Sequence, residues 1–373
     1  MQIGIPTEVQ SGETRVAATP ETVKKFAALG YKLVVQSGAG KAASYIDQAY
    51  IDAGASIAAT AAETLKDSDV VLKVVAPTAD EVSLLKQGAI VLAAFAPHQN
   101  PNLDAYAARG LTCVAMELIP RITRAQSSDI LSSQASLAGY KAVLMGANEY
   151  SGMFPMMMTA AGTVSPAKLF VMGVGVAGLQ AIATGKRLGA QVSATDVRSA
   201  TREQIQSLGA KPVFVETEAG IQGEGQGGYA AEMSEIYQQA QAELVTSHIA
   251  KQDIVITTAL IPGKPAPRLV SDKQIASMKP GSVIVDLAVR SGGNVAGSVA
   301  DQMTVRHGVK ILAWSNPPAL LPVDASALYA RNLYNFLSAF WDKEAGKPVL
   351  DQEIGDAVRL TQGGKVVSAR LAG

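Results

Sequence analysis

Cysteine and histidine are scarce in this chain. Of its 373 residues, one is cysteine and three are histidine. A single cysteine excludes a disulfide framework and is typical of a protein in a reducing compartment. The histidines, His98, His248 and His307, are too scattered to form a recognisable metal-binding motif. We therefore expect no metal site, and we interpret Cys113, which lies in an apolar run, as a buried core thiol.

Excess charge and long apolar runs are also lacking. Lysine and arginine together number 32, as do aspartate and glutamate, so the formal net charge is zero. This balance makes neither a nucleic acid nor an anionic membrane surface an expected partner. The uncharged run 169–185 is slightly short for a membrane span and is interrupted by glycines. The first residues do not have the form of a signal peptide. We expect no direct membrane insertion.

The most informative stretch is 168–198. A short apolar strand is followed by Gly173, Gly175 and Gly178 in the spacing G-x-G-x-x-G, and then by a run of strong helix formers. The first glycine allows a tight turn, the second lets the backbone approach a pyrophosphate, and the third lets the helix pack closely on the strand. The free N–H groups of the helix N-terminus favour phosphate. The pattern predicts a dinucleotide site.

An acidic residue stands where this pattern requires one. Asp196 ends the next predicted strand, about 20 residues beyond the glycines. Its carboxylate would accept hydrogen bonds from both hydroxyls of the adenosine ribose, and it would repel a 2′-phosphate. NAD is therefore favoured over NADP, although Arg198 lies near enough to hold such a phosphate.

Strands alternate with helices along most of the chain, which indicates parallel βαβ units. The predicted fold class is α/β, with two Rossmann-like doubly wound parallel-sheet domains and a cleft between them. We expect the first domain to comprise 1–126 and a returning segment, 323–373. The second, dinucleotide-binding domain would comprise 127–322, entered by a long linking helix. The methionine-rich stretch 153–167 is predicted to be an extended apolar link.

Taken together, several segments resemble the NAD(H)-binding component of the proton-translocating nicotinamide nucleotide transhydrogenases. The likeness runs along essentially the whole chain, and the joint occurrence of the segments is far more specific than any one of them. They are RITRAQSSDILSSQ, MMMTAAGTVSPAK, GVGVAGLQAIATGKRLGA, GGYAAEM, TTALIPGKPAP and MKPGSVIVDLA. The resemblance implies direct hydride transfer from NADH on this chain to NADP⁺ on a partner component. Such a transfer requires positioning and exclusion of water rather than an acid or base.

The resemblance also implies site residues. In the polar segment after Pro120, Gln126 would hydrogen-bond the dihydronicotinamide ribose, while Arg121 and Asp129 would hold the loop and the carboxamide. The residues that it places closest to the chemistry are Gln126, Arg121, Asp129 and Ser132. The residues implied in cofactor binding are Arg121, Ile122, Thr123, Gln126, Ser127, Ser128, Asp129, Ile130, Leu131, Val174, Gly175, Val176, Asp196, Val197, Arg198, Gly228, Tyr229, Gln241 and Leu260. The alternative for the first segment is a solvated helix N-terminus of little energetic consequence.

The partners follow from the same resemblance. The cofactor is NAD(H), and NADP(H) is bound only by the partner component. A membrane component would conduct protons and drive the transfer. We expect a homodimer that is cytoplasmic and held at the cytoplasmic face of the inner membrane through its partner subunits.

Two alternatives remain open. Alanine dehydrogenase shares the two-domain plan, and Arg15 and Lys73 match its substrate-binding positions. Its catalytic histidine and aspartate, however, align with Ala96 and Arg290 here. The second alternative is a non-enzymatic NAD(H)-binding module.

Overall fold

The structure is a computed structural model that describes residues 1–215, 235–261, 263–342, 344, 347–349, 352–368 and 371. The strands are β1 (Gln2–Ile5), β2 (Lys32–Gln36), β3 (Ser56–Ala58), β4 (Val70–Val75), β5 (Ile90–Ala94), β6 (Thr112–Ala115), β7 (Met157–Thr159), β8 (Gly162–Val164), β9 (Lys168–Met172), β10 (Gln191–Thr195), β11 (Lys211–Pro212), β12 (Ile254–Thr257), β13 (Val283–Asp286), β14 (Gln302–Arg306), β15 (Val309–Ala313), β16 (Trp341–Asp342), β17 (Lys347–Pro348), β18 (Arg359–Gln362) and β19 (Lys365–Val366).

The α-helices alternate with these strands, as the sequence predicts. They are α1 (Pro20–Ala28), α2 (Asp47–Asp52), α3 (Ala61–Leu65), α4 (Ala79–Leu84), α5 (Leu103–Ala108), α6 (Ile130–Glu149), α7 (Val176–Arg187), α8 (Thr201–Ser207), α9 (Glu235–Ile249), α10 (Asp272–Ser277), α11 (Pro322–Ala339) and α12 (Gln352–Val358).

The chain divides into two compact units. The first comprises 1–134 and 318–373, and the second comprises 135–317. The division falls within α6 and just before α11. The domain boundaries that the sequence predicts, at 126/127 and 322/323, stay predictions.

The first unit is built on an eight-stranded sheet in the order β19-β18-β6-β5-β4-β1-β2-β3. Strands β1 to β6 pair in parallel, whereas β18 and β19 pair antiparallel at one edge. The order reverses between β4 and β1, as in doubly wound sheets. Apolar side chains of β1, β2 and β4 pack against α1 and α11, including Ile3, Leu72, Phe26 and Leu333.

The second unit is built on a seven-stranded sheet in the order β11-β10-β9-β12-β13-β15-β14. All its neighbouring strands are parallel except the edge strand β14, which pairs antiparallel with β15. The central strands β9, β12 and β13 are buried on both faces, which explains why they are continuous apolar runs rather than alternating ones. The predicted α/β fold class is confirmed.

The methionine-rich link is not a simple extended segment. Met157 pairs with Val164 and Thr159 with Gly162, so the stretch forms the antiparallel hairpin β7–β8. Every residue in both strands is exposed. The hairpin escaped prediction because its strands lack the alternation of buried and exposed positions that marks a strand in a sheet.

Candidate dinucleotide site

A strand–turn–helix elbow forms where the glycine spacing predicts it. Strand β9 ends at Met172, Gly173 adopts a φ of +97°, and α7 begins at Val176 with Gly175 as its N-cap. A Cβ on Gly178 would lie 1.9 Å from the carbonyl oxygen of Gly173, so only glycine allows this close packing of helix and turn. A Cβ on Gly175 would meet nothing within 4 Å. The backbone at Gly175 is therefore open to a ligand.

Asp196 is bonded directly to this elbow. Its carboxylate Oδ2 accepts a hydrogen bond from the backbone N–H of Val174 at 2.7 Å, and its side chain is 6% exposed. Burial opposes the charged form, but hydrogen bonds from Arg198 and Val174 outweigh that effect, and the pKa of Asp196 is lowered. The carboxylate is therefore ionised at neutral pH, and it stands beside the open glycine turn.

Two residues that the sequence analysis missed brace the other side of the turn. The Thr258 hydroxyl donates to the Gly173 carbonyl oxygen at 2.9 Å. The fully buried Asn294 accepts from the Ala259 N–H at 3.0 Å and donates to the carbonyl oxygens of Ala259 and Pro267, at 2.9 and 2.8 Å. Asn294 thus closes the loop that carries Leu260. The sequence alone does not signal this role, because only the fold determines that this loop asparagine is buried.

The other predicted contacts in the second unit differ in exposure. Val176 and Leu260 are exposed, Gln241 is half-buried on α9, and the Val174 side chain is buried. The Val174 N–H already donates to Asp196, so this residue supports the turn from beneath. The predicted contacts Gly228 and Tyr229, with the glycine-rich loop before them, lie outside the described residues.

In the first unit, the predicted nicotinamide segment forms a 3₁₀ turn, Thr123–Ser128, which leads into α6. Asp129 caps that helix, because its carboxylate accepts from the Ser132 N–H at 3.0 Å and from the Ser132 hydroxyl at 2.5 Å. A role for Asp129 in holding the loop is thus compatible with its geometry, through capping.

The remaining side chains of this segment fall into two groups. Ser128 and Ile130 are buried and fix the segment, whereas Arg121, Thr123, Gln126, Ser127 and Leu131 are exposed and Ile122 is half-buried. Helix α11 anchors the turn, since the side-chain amides of Asn332 and Asn335 both donate to the Ser127 carbonyl oxygen, at 2.8 and 3.0 Å. Gln126 is thereby presented to solvent on a fixed backbone.

Buried charges cluster in the first unit, within β4, in α4 and in the loop that follows β1. The Lys73 ammonium group is 2.7 Å from a Glu81 oxygen and 3.3 Å from a Glu8 oxygen, and all three side chains are almost completely buried. Burial raises the pKa of Glu8 despite the nearby Lys73. The Arg15 guanidinium is held by both carboxylate oxygens of Glu13, at 2.6 and 2.8 Å. The chain's own carboxylates thus compensate both cations.

Metal ligands do not converge in the described part of the chain. His98 is exposed, His248 bonds the Ser193 hydroxyl at 2.8 Å, and His307 contacts Asp272. Burial raises the pKa of Cys113 to about 12, which keeps it an inert thiol at neutral pH. None of the described helices is both long and apolar enough to cross a membrane.

These features define what the second unit can bind. An open turn at a helix N-terminus suits the phosphates of a nucleotide, because unpaired N–H groups and the helix dipole both favour anions. The adjacent ionised carboxylate of Asp196 suits the hydroxyls of a ribose. The elbow therefore has the features of a dinucleotide-binding turn.

Comparisons with known proteins agree with this description. The family model "Alanine dehydrogenase/PNT, N-terminal domain" matches residues 4–138, and the model of the C-terminal domain matches residues 142–369. The first portion of the NAD(P) transhydrogenase alpha subunit of Rhodospirillum rubrum is 52% identical to this chain. The alignment covers 100% of this chain and 99% of that protein.

Solved structures of a transhydrogenase and of an alanine dehydrogenase also match the chain along most of its length. A transhydrogenase from Sinorhizobium meliloti superposes with a TM-score of 0.90 at 51% identity, covering 98% of this chain and 100% of that chain. An L-alanine dehydrogenase shares the fold, with a TM-score of 0.82 at 23% identity, covering 100% of this chain and 98% of that one.

Proposed function

Because the chain belongs to the alanine dehydrogenase/PNT family and matches a transhydrogenase alpha-subunit protein along its full length, we propose that it is the NAD(H)-binding subunit of a proton-translocating transhydrogenase. The observation that carries the proposal is the open elbow at Gly175, with Asp196 bonded to its base. In this proposal the subunit transfers hydride from NADH directly to NADP⁺ held by a partner component.

The residues of the elbow fit NAD(H). The helix N-terminus at Gly175 and Val176 would hold the pyrophosphate, and Asp196, Val197 and Arg198 would surround the adenosine ribose. A methyl group at position 175 would take the space that the phosphates need, whereas the protein itself leaves that space open. Gln241 and Leu260 would complete the binding surface of this unit.

The polar segment 121–132 would orient the nicotinamide end. When bound, the dihydronicotinamide supplies the hydride. Gln126 would hydrogen-bond its ribose and fix the face of the ring, while Arg121 would bind the carboxamide. Asp129 and Ser132 would hold the segment in place through the helix cap. The chain's contribution is orientation and exclusion of water, without proton transfer by a side chain.

Partner components complete the proposed reaction. NADP(H) would be bound only by a second component, and a membrane component would couple the transfer to proton movement. The subunit would then lie at the cytoplasmic face of the inner membrane and be attached through these partners. The Rhodospirillum rubrum relative is named as only the first portion of an alpha subunit, which supports a divided enzyme of this kind.

We also propose a homodimer, with the hairpin β7–β8 as part of its interface. Met156 is 59% exposed and Met158 is 75% exposed. A cluster of exposed apolar side chains on and beside this hairpin is typical of a surface that another chain covers. Sedimentation at micromolar concentration should give the mass of two chains, and a monomer would contradict the proposal.

Reconstitution tests the function. The purified chain, mixed with an NADP(H)-binding transhydrogenase component and NADH, should reduce an NADP⁺ analogue whose reduced form absorbs at its own wavelength. Either protein alone should give no transfer. Binding of NADH without transfer in the mixture would instead support a non-enzymatic binding module.

Replacing Gln126 by alanine should slow transfer more than it weakens binding. The side chain is exposed on a fixed backbone, so its loss removes orientation of the ring without disturbing the fold. We expect the single-turnover rate to fall at least about tenfold while the Kd for NADH changes less than about threefold. Arg124→Ala is the control, because this side chain lies in the same turn, is exposed and pairs with Glu353, so its loss should change neither the rate nor the Kd. Equal effects of Gln126→Ala on rate and Kd would refute the orienting role.

Oxidation of an amino acid is the second candidate, because Arg15 and Lys73 match substrate-binding positions of alanine dehydrogenase. Such an enzyme needs a proton acceptor. Ala96 and Arg290 stand at the positions that correspond to its histidine and aspartate. Alanine and NAD⁺ should therefore give no NADH with the purified chain, and appreciable turnover would favour this candidate.

A further inference from the structure

The Asp196 carboxylate is already fully used as an acceptor by the chain itself. Its Oδ1 accepts from the backbone N–H and from the Nε of Arg198, both at 2.9 Å. Its Oδ2 accepts from the Val174 N–H at 2.7 Å and from the Arg198 Nη2 at 2.9 Å. A carboxylate offers about four lone-pair positions. A ribose diol therefore cannot bind Asp196 until one set of donors leaves.

The two sets of donors differ in how easily they can leave. The backbone N–H groups of Val174 and Arg198 are fixed, because Val174 lies inside the glycine turn and Arg198 follows the end of β10. The guanidinium is the tip of a flexible side chain that is 17% exposed, at the edge of solvent. It presents two parallel N–H donors to the two carboxylate oxygens, and a vicinal diol presents two O–H donors to the same pair.

We propose that Arg198 occupies the place of the adenosine ribose diol in the ligand-free protein and is displaced when the nucleotide binds. This inference rests on the proposed function, since it concerns the same site. It assigns Arg198 the role of an internal competitor. In the free protein the Arg198 guanidinium compensates the charge of the buried carboxylate. A ligand that carries the diol must break this contact, so the free energy of the contact reduces the affinity for that ligand.

An internal competitor behaves in the opposite way to a simple ligand contact. Removal of the guanidinium should strengthen the binding of nucleotides that have both ribose hydroxyls, because they no longer displace a partner of Asp196. A nucleotide that lacks the 2′-hydroxyl makes one bond fewer to the carboxylate, so it should gain less. The free protein should become less stable, because Asp196 then stays buried without its cation.

The test compares ADP with 2′-deoxy-ADP on Arg198→Met, which keeps the backbone N–H and the apolar stem. Affinities are measured by displacement of NADH, whose fluorescence reports its binding. We expect ADP to bind about threefold to tenfold more tightly than to the unsubstituted chain, the ratio of the two Kd values to widen, and the melting temperature of the free protein to fall. Arg202→Met is the matched control, because the exposed Arg202 side chain lies over the Phe214 ring rather than on Asp196, and it should leave both Kd values and their ratio unchanged.

Each other outcome is decisive. If ADP and 2′-deoxy-ADP both bind Arg198→Met more weakly by the same factor, Arg198 holds the ligand and the inference is wrong. If the melting temperature falls while the Kd ratio stays unchanged, the pair with Asp196 is purely structural and the inference is also wrong. Arg198→Lys keeps the positive charge but loses the two parallel N–H donors, so its Kd ratio should lie between those of the unsubstituted chain and Arg198→Met. It replaces Arg198→Met in the test if that variant is unstable. If the unsubstituted chain does not bind NADH at all, the proposed function fails instead.

Discussion

Replacing Gly175 by alanine should remove most of the affinity for NADH and leave the free protein intact. Gly175 has an ordinary φ of −79°, and a Cβ there would meet nothing within 4 Å. The unfolding free energy should therefore change by less than about 1 kcal/mol. The added methyl group would lie where the pyrophosphate approaches the backbone. Overpacking of this kind costs about 1–3 kcal/mol, so the Kd for NADH should rise by about 5-fold to 150-fold.

The neighbouring glycine provides the comparison. A methyl group on Gly178 would lie 1.9 Å from the carbonyl oxygen of Gly173, so Gly178→Ala must shift the backbone of the turn. Its unfolding free energy should fall by about 1–3 kcal/mol even without ligand. Calorimetric titration with NADH and thermal unfolding of both variants separate the two effects. If the Gly175→Ala variant binds NADH as tightly as the unsubstituted chain, the glycine elbow is not part of the binding site.

Replacing Lys73 by methionine should cause the largest loss of stability. Its ammonium group lies between the buried carboxylates of Glu8 and Glu81, and methionine has a similar length without the charge. Breaking a buried ion pair by removing one partner costs about 3–5 kcal/mol, because the remaining charge stays buried without compensation. Denaturant unfolding of the purified chain should show this loss.

Two further variants show whether the charge is responsible. Lys25→Met breaks an exposed pair with Glu21 and should cost less than about 1 kcal/mol. Adding Glu81→Gln to Lys73→Met should restore part of the lost stability, since a neutral amide replaces an uncompensated carboxylate. If Lys73→Met is no less stable than Lys25→Met, the buried network contributes nothing.

The elbow could be predicted from the sequence because its signals are local. The spacing of Gly173, Gly175 and Gly178 reports a turn geometry that only glycine permits, and buried parallel strands are continuous apolar runs. The alternation of such runs with helix formers also predicted the two parallel sheets. The antiparallel strand β14 was missed because it lies at an edge, and four of its five residues, among them Met303 and Val305, are largely exposed.

The interactions of individual side chains could not be predicted in the same way. Lysine within a strand normally reaches solvent, and only the fold brings Glu8 and Glu81 to Lys73. The sequence predicts that Asp196 binds a ribose, but in the structure the Arg198 guanidinium donates two hydrogen bonds to it. Whether the guanidinium reaches the carboxylate depends on side-chain torsions, which the sequence does not determine locally. The roles proposed for Arg121 and Gln126 depend on a bound ligand, so they stay predictions from the family resemblance.

Comparison of NADH with NADPH binding tests the central claim most directly. Both are titrated calorimetrically against the purified chain under the same conditions. One NADH should bind per chain, and NADPH should bind at least about tenfold more weakly, a difference of about 1.4 kcal/mol, because its 2′-phosphate meets the ionised carboxylate of Asp196. Absence of NADH binding, or NADPH binding that is equally tight, would contradict the account.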